Sequence, residues 1–163
     1  MIPKKSLLNH IYYSIEFKKF ITKILNINNI YPYKDNLSSI NYNYYQKNQQ
    51  LGWHFDNALF AITLMISSPN SGGAFQYFNK GRDFKKNFID KKLIKNVIEG
   101  KEKIKQLEVK PGTLILFYDK NYLHRVTPIK SVKGRVLVTL NYNLKKNIEL
   151  SENARRIFFG RKS

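Results

Sequence analysis

Three side chains constrain this chain more than any other feature. His54 and Asp56 stand in Leu51-Gly52-Trp53-His54-Phe55-Asp56, and His124 stands in Leu123-His124-Arg125-Val126. In an extended strand successive side chains point to opposite faces, so His54 and Asp56 share one face while Phe55 turns into the core. Two imidazoles and one carboxylate can take three positions on one side of an iron ion and leave the others open. His124 lies far along the chain from the other two, and only a closed sheet readily brings such distant strands together. On the following strand, Arg135 in Gly134-Arg135-Val136 could hold a far carboxylate through paired hydrogen bonds.

The rest of the sequence reads as scaffold for those four side chains. Ser14 is placed to cap a helix in which Phe17, Ile21, Ile24 and Leu25 recur at helical spacing, ending near Asn26. His10 precedes it and matches no ligand spacing. Residues 31–39 read as loop, and 40–46 as a strand with Asn41, Asn43 and Tyr45 on one face and Tyr42 and Tyr44 on the other. Leu59 to Ile66 is nearly continuous in apolar residues, which predicts a strand buried on both faces. Gly72-Gly73 close the next loop as turn chemistry, ahead of a short aromatic strand at 74–78. A lysine-rich insertion at about 79–110 contains a helix capped by Asp90 and stopped by Gly100, read as a solvated helix beside the site. Thr113 to Tyr118 reads as a further strand apolar on both faces. From Gly134, Val136, Val138, Leu140 and Tyr142 form a core face; Arg135, Leu137, Thr139 and Asn141 form a mixed face suited to a polar pocket. A short helix follows Ser151. About eight short strands with few helices predict a mainly β fold, a double-stranded β-helix (jelly roll) with a few flanking helices, as one domain over 1–163.

Composition removes several alternatives. There is no cysteine, so disulfides and thiolate metal sites are excluded. Asn9, His10 and Glu16 interrupt any signal-peptide core, and the longest apolar run is too short to span a bilayer; a soluble, cytoplasmic protein is expected. The net charge of +18 permits a nucleic-acid partner, but the lysines are scattered rather than gathered, and solvated lysine is the favoured reading.

Tyr45, His54-Phe55-Asp56, Gly72-Gly73, Pro111-Gly112, His124 and Arg135 occur in the order found in a known superfamily. From about Ile40 to Asn143 the chain resembles the Fe(II)- and 2-oxoglutarate-dependent dioxygenases of the prolyl-hydroxylase-like superfamily. A finer match extends to Arg161: Gly52-Trp53-His54-Phe55-Asp56-Asn57, His124-Arg125-Val126-Thr127-Pro128 and Phe158-Phe159-Gly160-Arg161. It resembles a bacterial subgroup of radical halogenases and hydroxylases that modify free amino acids, lysine among them. The resemblance implies that His54, Asp56 and His124 hold Fe(II), and that Arg135 pairs with the distal carboxylate of 2-oxoglutarate, with O2 as the oxidant. Tyr45, Thr139 and Asn141 are expected near that co-substrate, and Asn57, Trp53 and Phe159 near the substrate, a small molecule such as an amino acid. Halogenases of the subgroup replace the carboxylate ligand with a small residue so that chloride can bind. Asp56 therefore implies hydroxylation. Relatives also carry a longer N-terminal part that helps build the substrate pocket, whereas this chain has little ahead of its first strand. Alternatives are a dioxygenase acting on a protein side chain or a nucleic-acid base, and a jelly-roll binding or sensing module without turnover.

Overall fold

The computed structural model describes residues 2–160 apart from 57 and 119, with the side chains of 36, 154, 157 and 158 also outside the description. The elements, in chain order, begin with α1 (Leu7–Tyr13), α2 (Ile15–Leu25), β1 (Tyr31–Pro32), α3 (Asn36–Ser39), β2 (Ile40–Tyr45) and β3 (Leu51–His54). There follow β4 (Phe60–Ser67), β5 (Phe75–Phe78), β6 (Arg82–Asp83), β7 (Phe88–Ile89), α4 (Lys91–Ile98) and β8 (Lys105–Leu107). The last are β9 (Leu114–Tyr118), β10 (Leu123–Val126), β11 (Arg135–Leu140), β12 (Tyr142–Asn143) and α5 (Glu152–Phe159). By contact the chain divides into two units, 1–42 with 138–163, and 43–137.

In the first unit the helix foreseen after Ser14 forms as α2. The Ser14 hydroxyl accepts from the Phe17 N–H, and Asn26 ends the helix in the left-handed region at φ 51°. Of its apolar stripe Ile21 is fully buried, while Ile24 stays exposed. The preceding α1, which the sequence reading passed over, is capped by Ser6 and delivers Tyr12 to the core. The Tyr12 hydroxyl donates to the Asn141 carbonyl and accepts from the Tyr33 N–H, and the Tyr142 hydroxyl donates to the Tyr12 carbonyl. The two rings stack at 4.6 Å. Burial pushes both phenols above their ordinary pKa, so each stays a neutral donor. The stretch read as loop holds β1, paired with β12, and α3, capped by Asp35. Asp35 also accepts from the Leu150 N–H, which ties the chain's two ends together.

The second unit carries the jelly-roll strands. Two four-stranded sheets run in the orders β3-β10-β5-β8 and β2-β11-β4-β9, the latter entering this unit with the 43–45 end of β2 and the 135–137 end of β11. The register pairs His124 with His54 on one side and with Tyr77 on the other, both antiparallel. β4 pairs antiparallel with β9 from Phe60↔Tyr118 to Leu64↔Leu114. The sheets face each other through Phe117 of β9, whose ring lies 5.3 Å from Phe75 of β5. The architecture is a mainly β jelly roll with few helices, as predicted.

Burial on both faces was predicted for two strands and does not hold. In β4, Phe60, Ile62 and Met65 are buried, but Ile66 is exposed. β9 is half-buried until Tyr118, which is exposed. The reason is topological, since β9 is the edge of its sheet and antiparallel sheets keep one face wet. The strand from Gly134 also stops at Leu140 rather than running on to Tyr142, because the Asn141 N–H leaves the ladder for the Ser39 carbonyl.

Candidate metal centre

β3 ends at His54, and Asp56 lies two residues beyond it. β10 delivers His124 directly opposite His54. His54 Nε2 lies 3.7 Å from Asp56 Oδ1, and His124 Nε2 lies 3.6 Å from Asp56 Oδ2. Both spacings exceed a hydrogen bond, and one potential ligand atom from each of the three residues lies within 4.8 Å of the other two.

The imidazoles are oriented by their backbones. Nδ1 of His54 lies 2.8 Å from the Gly52 carbonyl and Nδ1 of His124 lies 3.0 Å from the Tyr122 carbonyl. A carbonyl only accepts, so each Nδ1 carries a proton and each Nε2 is the ring atom turned toward Asp56. Burial, with His54 nearby, pushes the His124 pKa below its ordinary value and keeps its Nε2 lone pair free. Its ring is walled by Phe117 at 4.7 Å and Phe75 at 5.6 Å, and Tyr122 stands 5.7 Å from Phe117. His54 and Asp56 are half-buried while His124 is 5% exposed, so the triad is open from one side. Two imidazoles and a carboxylate brought this close form a donor set that suits Fe(II).

Arg135 is 4% exposed, and its Nε has no hydrogen-bond partner among the described residues. Its guanidinium lies 5.7 Å from the Tyr45 ring, and no carboxylate among the described residues pairs with it. It lines a cavity of about 580 Å³ together with Gly72, Gly73, Thr127 and Pro128. Burial lowers its pKa, yet a guanidinium remains charged in such surroundings.

The other predicted residues divide. Trp53 packs against the buried cluster of Phe78, Val97 and Leu123, with the Arg125 guanidinium 4.7 Å from its ring. Thr139 and Asn141 belong to the first unit, where both are half-buried and the Asn141 amide donates to the Ser38 carbonyl at 2.7 Å. Phe159 is also in that unit and lines a cavity of about 1000 Å³ with His10, Tyr13 and Tyr42. His54, Asp56 and His124 line neither of these cavities. Asn57 lies outside the described residues.

Two side chains near the triad went unread in the sequence. The Arg82 Nη1 donates to the Asp56 carbonyl at 3.3 Å, and Asn121 Oδ1 accepts from the Phe84 N–H at 2.8 Å. A signal for the first existed: Arg82 is the one arginine in the lysine-rich 79–110 segment.

Comparison with known families decides the lineage. The family model for Halogenase D matches residues 2–157. The chain belongs to that family. Among solved structures it is similar to a prolyl-4-hydroxylase from Pseudomonas putida, at 14% identity and TM-score 0.52 over 85% of this chain and 68% of that one. It also matches the CENP-C cupin domain of Drosophila melanogaster, at 14% identity and TM-score 0.41 over 70% of each chain. No curated protein matches. At such identity the prolyl-4-hydroxylase likeness speaks to the fold alone, a mainly β jelly roll. The family is named for a halogenase, while this chain carries a carboxylate at position 56.

Proposed function

We propose that this chain is a non-haem Fe(II)- and 2-oxoglutarate-dependent oxygenase that hydroxylates an unactivated C–H bond of a free amino acid or similar small metabolite. The observation that carries the reading is the convergence of His54, Asp56 and His124 from two separated segments onto one point. Membership of the Halogenase D family supports it. The buried guanidinium of Arg135, with no carboxylate beside it among the described residues, supports an acidic co-substrate, because a buried charge needs a counter-charge.

Iron and 2-oxoglutarate, when bound, supply with O2 the oxidising power for the C–H bond, giving succinate and carbon dioxide as co-products. The protein's own residues do the positioning. The Nε2 atoms of His54 and His124 and the Asp56 carboxylate are the metal ligands, their directions set by the Gly52 and Tyr122 carbonyls. Arg135 pairs with the distal carboxylate of 2-oxoglutarate, beside Tyr45. Phe75 and Phe117 keep water from the buried side of His124. Asp56 fills the place that a halide would need, which favours oxygen transfer over halogenation.

The test is anaerobic loading with Fe(II) and 2-oxoglutarate, then oxygen and a panel of amino acids in chloride buffer. The expected result is succinate together with a product heavier by one oxygen atom. A chlorinated product would overturn the hydroxylase reading, and succinate no higher than in His54→Ala would overturn the oxygenase. The net charge of +18 favours a second reading, a protein or nucleic-acid substrate. A salt-sensitive shift of an oligonucleotide, with oxidation of that oligonucleotide, would select it.

A further inference from the structure

The 79–110 insertion is tied to the triad at two points. Asp56 lies beyond the last residue of β3, so ladder hydrogen bonds that fix His54 against His124 do not reach it. Its carboxylate nonetheless lies 3.7 and 3.6 Å from the two Nε2 atoms, so something else must hold its backbone there. That contact comes from Arg82 at the start of β6, whose Nη1 donates to the Asp56 carbonyl at 3.3 Å. The guanidinium lies 5.2 Å from the Phe55 ring and 4.8 Å from the Phe84 ring. Among the described residues no carboxylate forms an ion pair with it, and the Asp56 carbonyl is its hydrogen-bond acceptor. Two residues on, the Phe84 N–H donates to Asn121, three positions ahead of His124, and the Phe84 ring carries Lys120 at 3.9 Å.

Behind this hairpin the insertion is anchored in the core. The Asp90 N–H donates to the Gly81 carbonyl, and Leu93, Ile94 and Val97 of α4 pack on Phe78 and Leu123 with Trp53 and Phe55. Those last two flank His54, and Leu123 precedes His124. The lysines of α4 are solvated, but Leu93, Ile94 and Val97 pack inward, so the segment is a support of the site rather than an appendage.

We propose that Arg82 is a positioning residue of the metal centre, holding the Asp56 backbone so that its carboxylate meets both imidazoles. This rests on the reading of the triad as a metal site. Hydrogen bonds of this outer kind typically change metal affinity by about 10- to 100-fold when removed.

The test is a Co(II) titration of the full chain, followed through the ligand-field absorption, alongside urea denaturation without metal. Arg82→Met keeps the aliphatic stem between the phenyl rings and removes the donors. Expected are Co(II) affinity at least about tenfold weaker and an altered Co(II) spectrum, an unchanged denaturation midpoint, and partial recovery in Arg82→Lys. Should Arg82→Met fail to fold, Arg82→Leu, which likewise lacks a donor, carries the same expectation. Affinity and spectrum equal to the parent's would overturn the role of Arg82 and leave the triad standing. A parent chain that binds Co(II) no better than His54→Ala would overturn the triad reading, and this role with it.

Discussion

Arg135 is the residue at which burial and charge conflict most. A guanidinium 4% exposed, with an unpartnered Nε and no described acid beside it, costs stability as long as its site holds no anion. Arg135→Met should therefore raise the stability of the ligand-free chain by about 1–3 kcal/mol in urea denaturation. The same variant should need at least about tenfold more 2-oxoglutarate, the loss of a charged hydrogen-bonded pair. A destabilised variant with unchanged 2-oxoglutarate dependence would make Arg135 structural. His54 and Asp56 predict the opposite split. Both are half-exposed and lie outside the buried core, so His54→Ala or Asp56→Ala should abolish succinate formation while shifting the denaturation midpoint little.

At the scale of elements, the turn Gly72-Gly73 shows how closely the scaffold is packed around that arginine. Gly72 has φ 74°, and a Cβ there would sit 2.1 Å from the Pro128 carbonyl oxygen. Gly100 has the same φ, but a Cβ would meet nothing within 4 Å. Gly72→Ala should cost about 3 kcal/mol or more and Gly100→Ala about 1 kcal/mol, read by urea denaturation. Equal costs would mean that the Pro128 backbone yields freely. Much of this level was legible in the sequence, because it was written in local chemistry. Ser14, Asp90 and Asn26 announce the helix ends they form, and alternation sorts Tyr42 and Tyr44 from Asn43 and Tyr45. What escaped depends on partners distant in sequence. β8 is Lys105-Gln106-Leu107, polar and exposed, and becomes a strand only because β5 offers it an edge. The break at Asn141 follows from Ser38 and Ser39, a hundred residues earlier. Arg82 stands out only as the one arginine of a lysine-rich segment, and its partner emerges when folding brings it onto the Asp56 carbonyl.

For the molecule as a whole, the excess of positive charge is a force that opposes compaction. With a net charge of +18, folding brings like charges together, and salt relieves that repulsion. Between 0.01 and 0.15 M salt the screening length falls from about 30 to about 8 Å, so the thermal midpoint should rise across that range. A falling midpoint would mean that pairs such as Lys34–Glu149 and Lys101–Glu99 outweigh the net repulsion. The same scaffold brings two separated segments to one candidate iron site, and that convergence is best tested without turnover. Under nitrogen, 2-oxoglutarate is added to the Fe(II)-loaded chain and the visible charge-transfer absorption of a chelated keto acid is recorded. The absorption should appear in the parent chain, vanish in His124→Ala, and need higher 2-oxoglutarate in Arg135→Met. No absorption in the parent, or an undiminished one in His124→Ala, would contradict the account.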